Sequence, residues 1–555
     1  MMLKPNESAA VNVERRDTKK GPIVALVLLV AGLAAYRSSL VGSGYFYWAD
    51  ERCYLPALDL VQALGHGEFR EAVGHLFEAD GAVPPARPGF VLLGTVPALF
   101  QQVVGQSIGL DPGSPSYYHP VFCLNLLISL AITLVVYMLG VRWSGNRWAA
   151  VGIAAVHAGM SGSNIWIRHL GPYEWSQLLG LIGLWLVSSR PQIGPAHELN
   201  LPRAGFAGIL SAMAYACYPG HYMFLPIAAV VAWAGNRRST ARLMTYLGGA
   251  FIVFVTFEGF SRVVGRSYLT DLARLSRSVS MGAREEGFVF VGRYLRDAES
   301  WVGTLLLILF LGLIVRAGLR RRMDAPPEAM ITIPAAAACY LFHAAMSVFF
   351  GGMVFYGRIL LPLTPILVGG AVVFVRTIQR PMLRRMVTAA LAIASSVSFV
   401  QFARNYSAVQ YPADFLQASM QERGRSIRYP RNSLWGRLDG SGRDTAESVD
   451  PELNLVIDTH PEGSRQYVAI RTHEEAHRSQ SRYIGVNLQC LGYVPETLNR
   501  FVVRPAYRLI SECPHPENFP PYGYEGRRPW ERRRLKEREY TMRVYERVTK
   551  LADRP

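Results

Sequence analysis

The chain has 555 residues, half of them hydrophobic, a mean hydropathy of +0.15 and a formal net charge of +17. Such apolar content excludes an intrinsically disordered chain, and the positive mean hydropathy is unusual for a soluble multidomain protein. The high pI would suit nucleic-acid binding, but the charges are unevenly placed: residues 1–402 carry 54 charged side chains and residues 403–555 carry 45. The pattern therefore predicts a membrane-embedded body followed by a polar tail.

The body contains apolar stretches long enough to cross a bilayer as helices, because about 20 apolar residues span the hydrocarbon core. We predict an α-helical polytopic membrane protein with about eleven spans in residues 1–402, and a soluble α/β domain in residues 403–555. The predicted spans are 22–42, 120–141, 147–164, 172–189, 204–218, 221–235, 243–261, 301–316, 330–350, 359–376 and 385–402.

Arginine and lysine residues predict the orientation of the body. A basic segment with Arg15, Arg16, Lys19 and Lys20 precedes the first span, and five later loops on the same side are also rich in arginine. Positive charge accumulates in cytoplasmic loops. The N-terminus is therefore predicted to be cytoplasmic, and the odd number of spans predicts an extracytoplasmic tail on a multi-pass cytoplasmic-membrane protein.

Two long loops fall on the outer side, 43–119 and 262–300. The first contains an amphipathic run, Leu55 to Phe69, and a partly apolar run, 88–104, which is either interfacial or a twelfth span. The second carries seven arginines and five acidic residues, so it is either a phosphate-recognition surface or a loop with internally paired charges.

An acidic pair, Asp50-Glu51, directly follows the first span. Charge beside the hydrocarbon region is costly and usually has a task or a partner. The pair could serve as a general base toward an acceptor hydroxyl, or bind a divalent cation; the alternative is an interfacial helix cap. No G-x-x-x-x-G-K-[ST] motif is present in the sequence, so we expect no ATP-driven transport by this chain.

Two further motifs accompany the acidic pair: Ala86-Arg87-Pro88-Gly89-Phe90 in the same outer loop, and a run from Phe355 to Pro365 that includes Tyr356-Gly357-Arg358. Together these pieces resemble the GT-C superfamily of membrane glycosyltransferases. The branch they resemble contains the protein O-mannosyltransferases and the lipid A aminoarabinose transferases. The resemblance covers the spans and topology of residues 1–402, and the short motifs are its only sequence anchors.

The resemblance implies a reaction in which a sugar leaves a polyprenyl monophosphate with inversion and moves to an acceptor lipid, glycan or protein. Asp50 would be the catalytic acid/base residue, and Glu51 would hold the site, with a divalent metal left open. Arg87, Arg358 and Tyr356 would bind the leaving phosphate. A snorkelling role at a helix end is the alternative for Arg358.

The sequence departs from the family pattern at two places. Arg87-Pro88-Gly89 stands where relatives often have His or Lys before two prolines, and Arg358-Ile359 stands where they have Arg-Tyr. The first departure keeps the positive charge and the second loses an aromatic hydroxyl. Subfamily, sugar and acceptor are therefore left open.

Further candidate substrate contacts are Arg52, Glu174 and His221. Glu174 lies between Tyr173 and Trp175 at the outer end of a span, where the two rings either stack on a sugar or belong to an interfacial aromatic belt. His221 follows a Tyr218-Pro219-Gly220 turn on the same side and could meet phosphate. Metal ligands stay unassigned.

The tail begins with a polar segment, 421–450, that is typical of a linker. Alternating residues predict strands at 453–458, 466–470 and 483–488, and charge spacing predicts a helix over 531–550. Cys490 and Cys513 could form a disulfide in an oxidising compartment.

Two other functions are compatible with the sequence. One is a surface-polysaccharide polymerase or ligase with a pyrophosphate-linked donor, which the arginine-rich loop favours. The other is a transporter or flippase for lipid-linked sugar, which predicts inverted repeats that the sequence does not display.

Overall fold

A computed structural model describes most of the helical body and four strands of the tail. The described residues are 20–41, 54–77, 87–107, 119–169, 171–188, 200–235, 239–280, 287–319, 327–350, 357–407, 453–455, 483–487, 507–512 and 542–547.

Within these ranges the body holds sixteen α-helices. They are α1 (Lys20–Ser38), α2 (Leu55–Gly65), α3 (Phe69–Leu76), α4 (Pro88–Ser107), α5 (His119–Ser144), α6 (Arg147–Gly159), α7 (Tyr173–Val187), α8 (Leu201–Cys217), α9 (Phe224–Ala234), α10 (Thr240–Val263), α11 (Tyr268–Ser280), α12 (Phe290–Asp297), α13 (Ser300–Leu319), α14 (Pro327–Phe350), α15 (Thr364–Arg376) and α16 (Pro381–Ser407).

Every predicted span coincides with one of these helices, and the body fits an α-helical membrane protein. Five helices are long and apolar enough to cross a membrane, namely α1, α5, α10, α14 and α16, and four shorter apolar helices accompany them. The count of eleven spans stays a prediction. So does the choice of an interfacial or spanning role for α4, whose apolar part ends at Val104.

Glycines permit the closest helix crossing of the body, between α8 and α10. Gly208 lies directly against the backbone of Tyr246, and Gly249 lies against the carbonyl of Gly205, so a Cβ at either position would overlap main chain. Small residues let helix backbones approach in this way where apolar solvent supplies little driving force for association. The outward face of α10 carries exposed large apolar side chains, which suit lipid contact: Met244, Leu247, Phe251, Ile252 and Val255.

Arginines hold together one end of the helical body, where α5 and α7 end and α10 begins. The Arg142 guanidinium donates to the carbonyl oxygens of Trp185 and Ser188, and Arg242 Nη2 donates to the carbonyl of Val187 at 2.9 Å. These carbonyls lie at the C-terminal end of α7, where the last turn has no intrahelical donors and favours cations. We call this end of the body the arginine end.

The described strands of the tail form one four-stranded sheet: β1 (Leu453–Leu455), β2 (Tyr483–Asn487), β3 (Tyr507–Glu512) and β4 (Met542–Arg547). The strand order is β1-β2-β4-β3, with β1 parallel to β2 and the other pairs antiparallel. Strands β1 and β2 fall where the sequence predicts strands. The predicted α/β domain as a whole stays a prediction.

The predicted helix over 531–550 is wrong at 542–547, which forms β4. Val544 and Tyr545 are β-branched and aromatic residues that favour strands, and pairing with β2 and β3 overrides the local charge spacing. The predicted linker 421–450, the predicted strand 466–470 and both Cys490 and Cys513 lie outside the described residues.

Candidate phosphate-binding site at the aromatic end of the body

Half of the predicted site residues are described. Arg87, Glu174, His221 and Arg358 lie within the described ranges, whereas Asp50, Glu51, Arg52 and Tyr356 lie outside them. The four described residues come from distant parts of the chain, yet the fold brings them to the same end of the body, opposite the arginine end. We call it the aromatic end because Trp166, Tyr173 and Tyr218 lie there together.

Helix ends and prolines place these residues. Helix α8 ends at Cys217, because the residue before a proline is pushed out of the helical region and Pro219 follows Tyr218. Tyr218 accordingly has an extended backbone, and Gly220 lies so close to its ring that a Cβ there would overlap the ring. The turn Pro219–His221 then leads into α9.

The glycine of the Arg87-Pro88-Gly89 motif has a packing role. A Cβ on Gly89 would lie 2.8 Å from the backbone carbonyl carbon of Ala216, so only glycine lets α4 begin directly against the end of α8. Pro88 suits the first helical position, where no backbone N–H is needed. This contact brings Arg87 next to Tyr218, two residues beyond Ala216.

Tyr218 is the centre of the cluster. Its hydroxyl accepts a hydrogen bond from Arg358 Nε at 2.8 Å, and the Arg87 guanidinium lies over its ring at 5.2 Å from the centroid. The ring of Tyr173 packs edge-on against it at 4.9 Å. The two arginines that the sequence proposes as phosphate ligands therefore contact the same tyrosine.

Arg358 is further oriented by Tyr173, whose ring centroid lies 5.6 Å from the guanidinium carbon. A cation within about 6 Å of an aromatic face is attracted by the ring quadrupole. The rings of Tyr218 and Tyr173 therefore help to position both guanidinium groups. Two oriented guanidinium groups match the oxygens of a phosphate, which arginine binds in a bidentate manner.

His221 is fully buried and both of its ring nitrogens contact protein atoms. Nε2 lies 2.9 Å from the carbonyl oxygen of Arg358 and therefore donates to it, and Nδ1 lies 2.9 Å from Ser176 Oγ. Ser176 Oγ in turn lies 2.7 Å from the carbonyl of Ala214. The structure thus gives His221 a positioning role for the Arg358 backbone, whereas the sequence analysis expects a direct substrate contact.

Glu174 lies in the first turn of α7 with its side chain buried. Neither carboxylate oxygen has a hydrogen-bond partner among the described residues. The buried guanidinium of Arg37 interacts with it electrostatically and also bonds Asn164 Oδ1 from Nε at 3.0 Å. Burial separates the Glu174 carboxylate from solvent, so the predicted substrate contact requires a path that the described residues do not show.

The aromatic residues beside Glu174 face different partners. Trp175 donates its indole N–H to Asn125 Oδ1 at 3.1 Å, so the indole is fixed to α5. Tyr173 instead packs against Trp166, with ring centroids 4.3 Å apart, and under Arg358. Of the two rings that the sequence proposes for sugar stacking, only Tyr173 belongs to the cluster.

A buried carboxylate fixes the segment that carries Trp166. Glu299, at the start of α13, accepts hydrogen bonds from the backbone N–H groups of Ser161 and Gly162 at 2.6 and 2.9 Å and from the Tyr294 hydroxyl at 3.1 Å. Its side chain is buried, and burial raises the pKa of Glu299 although these donors favour the charged form. Glu299 therefore links the segment between α12 and α13 to the aromatic end.

No group of three or more His, Cys, Asp or Glu side chains in the described ranges could hold a metal ion. Asp50 and Glu51, the residues proposed for a divalent cation, lie outside those ranges. The divalent metal therefore stays a prediction from the resemblance.

Several residues of the site were not singled out from the sequence. Tyr218, Ser176, Arg37 and Glu299 are the main ones. Tyr218 stands before Pro-Gly at a break in an apolar run, and an aromatic residue in that position is a usable signal. Arg37 carries the clearer one, since a charge inside an apolar span needs a partner or a function.

No known protein family and no curated protein matches this sequence. Function must therefore be argued from the motifs and from the geometry of the aromatic end.

Proposed function

We propose that the protein is a membrane glycosyltransferase that moves a sugar from a polyprenyl-phosphate donor to an acceptor lipid, glycan or protein. The observation that carries the proposal is the convergence of Arg87 and Arg358 on Tyr218. The resemblance to GT-C enzymes names these two arginines as phosphate ligands from separate motifs. Their contact with the same ring supports a common ligand that is anionic and small enough to lie between them.

The chemistry follows from the residues proposed for each step. The acceptor hydroxyl attacks the anomeric carbon from the face opposite the phosphate, and Asp50 takes its proton. The bond between the anomeric carbon and the phosphate oxygen breaks, and its electron pair leaves with the lipid phosphate. Arg87 and Arg358 stabilise the negative charge that develops there, which a preorganised cationic site does better than water.

The proposed location is the outer face of the cytoplasmic membrane. The arginine end of the body then faces the cytoplasm in keeping with the positive-inside rule, and the aromatic end faces outward. In this scheme residues 1–402 form the catalytic membrane domain with eleven spans, and residues 403–555 form an extracytoplasmic α/β domain. Antiparallel helices that alternate between the two ends support the topology.

The test is transfer from synthetic polyprenyl-phosphate sugars by the purified full chain in detergent. Asp50→Asn should abolish transfer while the protein keeps its elution volume and thermal midpoint. Asp59→Asn is the matched control, since it makes the same chemical change at an exposed side chain of α2 in the same loop and should retain activity. Full activity in Asp50→Asn would refute the assigned role.

A polymerase or ligase with a pyrophosphate-linked donor is the second candidate, because two adjacent guanidinium groups also suit a diphosphate. The phosphate content of the released lipid separates the two reactions. A monophosphate supports the first proposal and a diphosphate supports the second. Movement of intact lipid-linked sugar without cleavage would favour the transporter hypothesis instead.

A further inference from the structure

A second feature lies away from the aromatic end. Helices α1, α6, α15 and α16 enclose an open groove of about 760 Å³, within the size range of small-molecule sites. Its walls are almost entirely apolar, with Leu29 and Leu33 from α1, Val156 from α6 and Phe399 from α16 among them.

Small residues shape the groove. At its closed end α6 and α16 nearly touch, because a Cβ on Gly159 would lie 3.2 Å from Ser395 Oγ. Two turns earlier, a Cβ on Gly152 would meet no atom within 4 Å, so the helices have moved apart. From Arg385 to Phe399 the groove follows α16 for about 21 Å, at 1.5 Å per residue. One leaflet of the hydrocarbon core is about 15 Å thick, so the groove is long enough for an extended acyl chain.

Three arginines line the open end of the groove: Arg376 at the end of α15, and Arg384 and Arg385 in the first turns of α16. In the described part of the chain, none of the three forms an ion pair with a carboxylate. Trp148, which is 56% exposed, lies beside them at the level where aromatic side chains mark the membrane surface. The groove thus joins an apolar channel to a cationic mouth.

We propose that this groove binds one anionic membrane lipid, with its phosphate headgroup on Arg376, Arg384 and Arg385 and an acyl chain along α6 and α16. The charge complementarity selects this occupant, because an apolar helix from a second copy would leave the three guanidinium groups without counterions. Basic pockets between transmembrane helices are known to suit anionic headgroups. The mouth of the groove lies at the arginine end, and no residue of the cluster around Tyr218 lines the groove, so the proposal does not depend on the proposed transferase activity.

Native mass spectrometry of the purified full chain tests the proposal. The protein is incubated in detergent with phosphatidylglycerol or with phosphatidylcholine of identical acyl chains. One phosphatidylglycerol should be retained per chain, and phosphatidylcholine should be retained far less. Each basic residue near a headgroup contributes about 1 kcal/mol, so the double variant Arg384→Gln/Arg385→Gln should weaken phosphatidylglycerol binding about thirtyfold.

The control for charge is Arg203→Gln/Arg316→Gln, which removes two arginines that do not line the groove and should leave binding unchanged. A second variant tests the apolar channel: Gly152→Phe fills the open space and should remove the bound lipid. Gly248→Phe is its control, since a Cβ on exposed Gly248 also meets no atom within 4 Å and lies on α10, outside the groove. Thermal midpoints of all four variants report on folding.

Equal retention of the two lipids would overturn the proposal. So would an equal loss of phosphatidylglycerol binding in the groove variants and in their controls. A dimer that forms without bound lipid and is broken by Gly152→Phe would assign the groove to a second copy of the chain instead.

Discussion

The two ends of the helical body use arginine in different ways. At the arginine end, Arg142 and Arg242 donate to main-chain carbonyls at the end of α7, so their charge stabilises a helix terminus. At the aromatic end, Arg87 and Arg358 lie over the rings of Tyr218 and Tyr173. Arg142 also lies over a ring, that of Trp185 at 4.6 Å, so contact with a ring does not by itself mark an arginine that binds a ligand. The difference between the two ends lies in the hydrogen bonds: Arg142 and Arg242 donate to main-chain carbonyls, whereas Arg358 Nε donates to the side-chain hydroxyl of Tyr218.

The largest expected effect is at Arg358. The variant Arg358→Gln removes a cation from the proposed phosphate site, and loss of one such donor costs about 10²–10³-fold in kcat. Arg358→Lys keeps the charge but loses the planar fork and the stacking on Tyr173. Its activity should therefore lie between those of the wild-type protein and Arg358→Gln. Transfer assays with polyprenyl-phosphate sugar give both values.

Folding must be separated from activity in these variants. Their thermal midpoints should fall less than that of Arg142→Gln, because Arg358 donates one hydrogen bond to a hydroxyl whereas Arg142 donates to two carbonyls at a helix end. If Arg358→Gln had a normal kcat and a lowered thermal midpoint, Arg358 would be a structural arginine like Arg142, and its proposed role in phosphate binding would be wrong.

The opposite behaviour is expected at the arginine end. Arg142→Gln removes hydrogen bonds from a charged group to two carbonyls and should lower the free energy of unfolding by about 2 kcal/mol. The activity of the fraction that remains folded should be unchanged. Denaturant titration in detergent, followed by transfer assays on the monomeric fraction, measures the two quantities separately.

The sequence predicted most of the helices of the body, because apolar runs bounded by arginine or proline leave few alternatives in a membrane. It also selected Arg87 and Arg358 from motifs that lie far apart in the chain, and the structure places both against Tyr218. Their role as phosphate ligands stays a prediction. The sequence did not reveal Tyr218 as their shared partner. That contact depends on the packing of Gly89 against Ala216. The two residues are far apart in the chain, so no local sequence pattern predicts that they touch.

The errors have physical causes as well. His221 was expected to face substrate because its position along the chain gives its height in the membrane but not its direction, and the structure buries it behind Arg358. The residues of β4 were expected to be helical because Glu and Arg recur at helical spacing. Pairing with two neighbouring strands, which local spacing cannot report, decides that segment.

A smaller effect is expected from His221, which holds the main chain of Arg358 from the buried side. His221→Ala removes one hydrogen bond to that carbonyl, worth about 1 kcal/mol, and should lower kcat about fivefold while KM for the acceptor changes little. Ser176→Ala, which removes the partner on the other ring nitrogen, should act in the same direction. A large rise in KM with unchanged kcat would instead make His221 a binding residue.

The smallest effect concerns pH and the buried carboxylate of Glu299, which binds the backbone N–H groups of Ser161 and Gly162. Burial raises the pKa of Glu299, so its uncharged form fits the folded protein better than its charged form. The stability that this group contributes is fully present below the unfolded-state pKa of about 4.3 and is lost as the pH rises through the raised folded-state value. Wild type should therefore lose stability relative to Glu299→Gln as the pH increases.

The measurement is the difference in thermal midpoint between wild type and Glu299→Gln across a pH series, which cancels the titration of all other groups. Glu68→Gln is the matched control, because it makes the same chemical change at an exposed side chain. A difference that grows in favour of wild type with rising pH would show that the N–H donors of Ser161 and Gly162 and the Tyr294 hydroxyl outweigh burial. In that case Glu299 would be charged in the folded protein. Its negative charge would weaken the attraction between phosphate and the two arginines, Arg87 and Arg358.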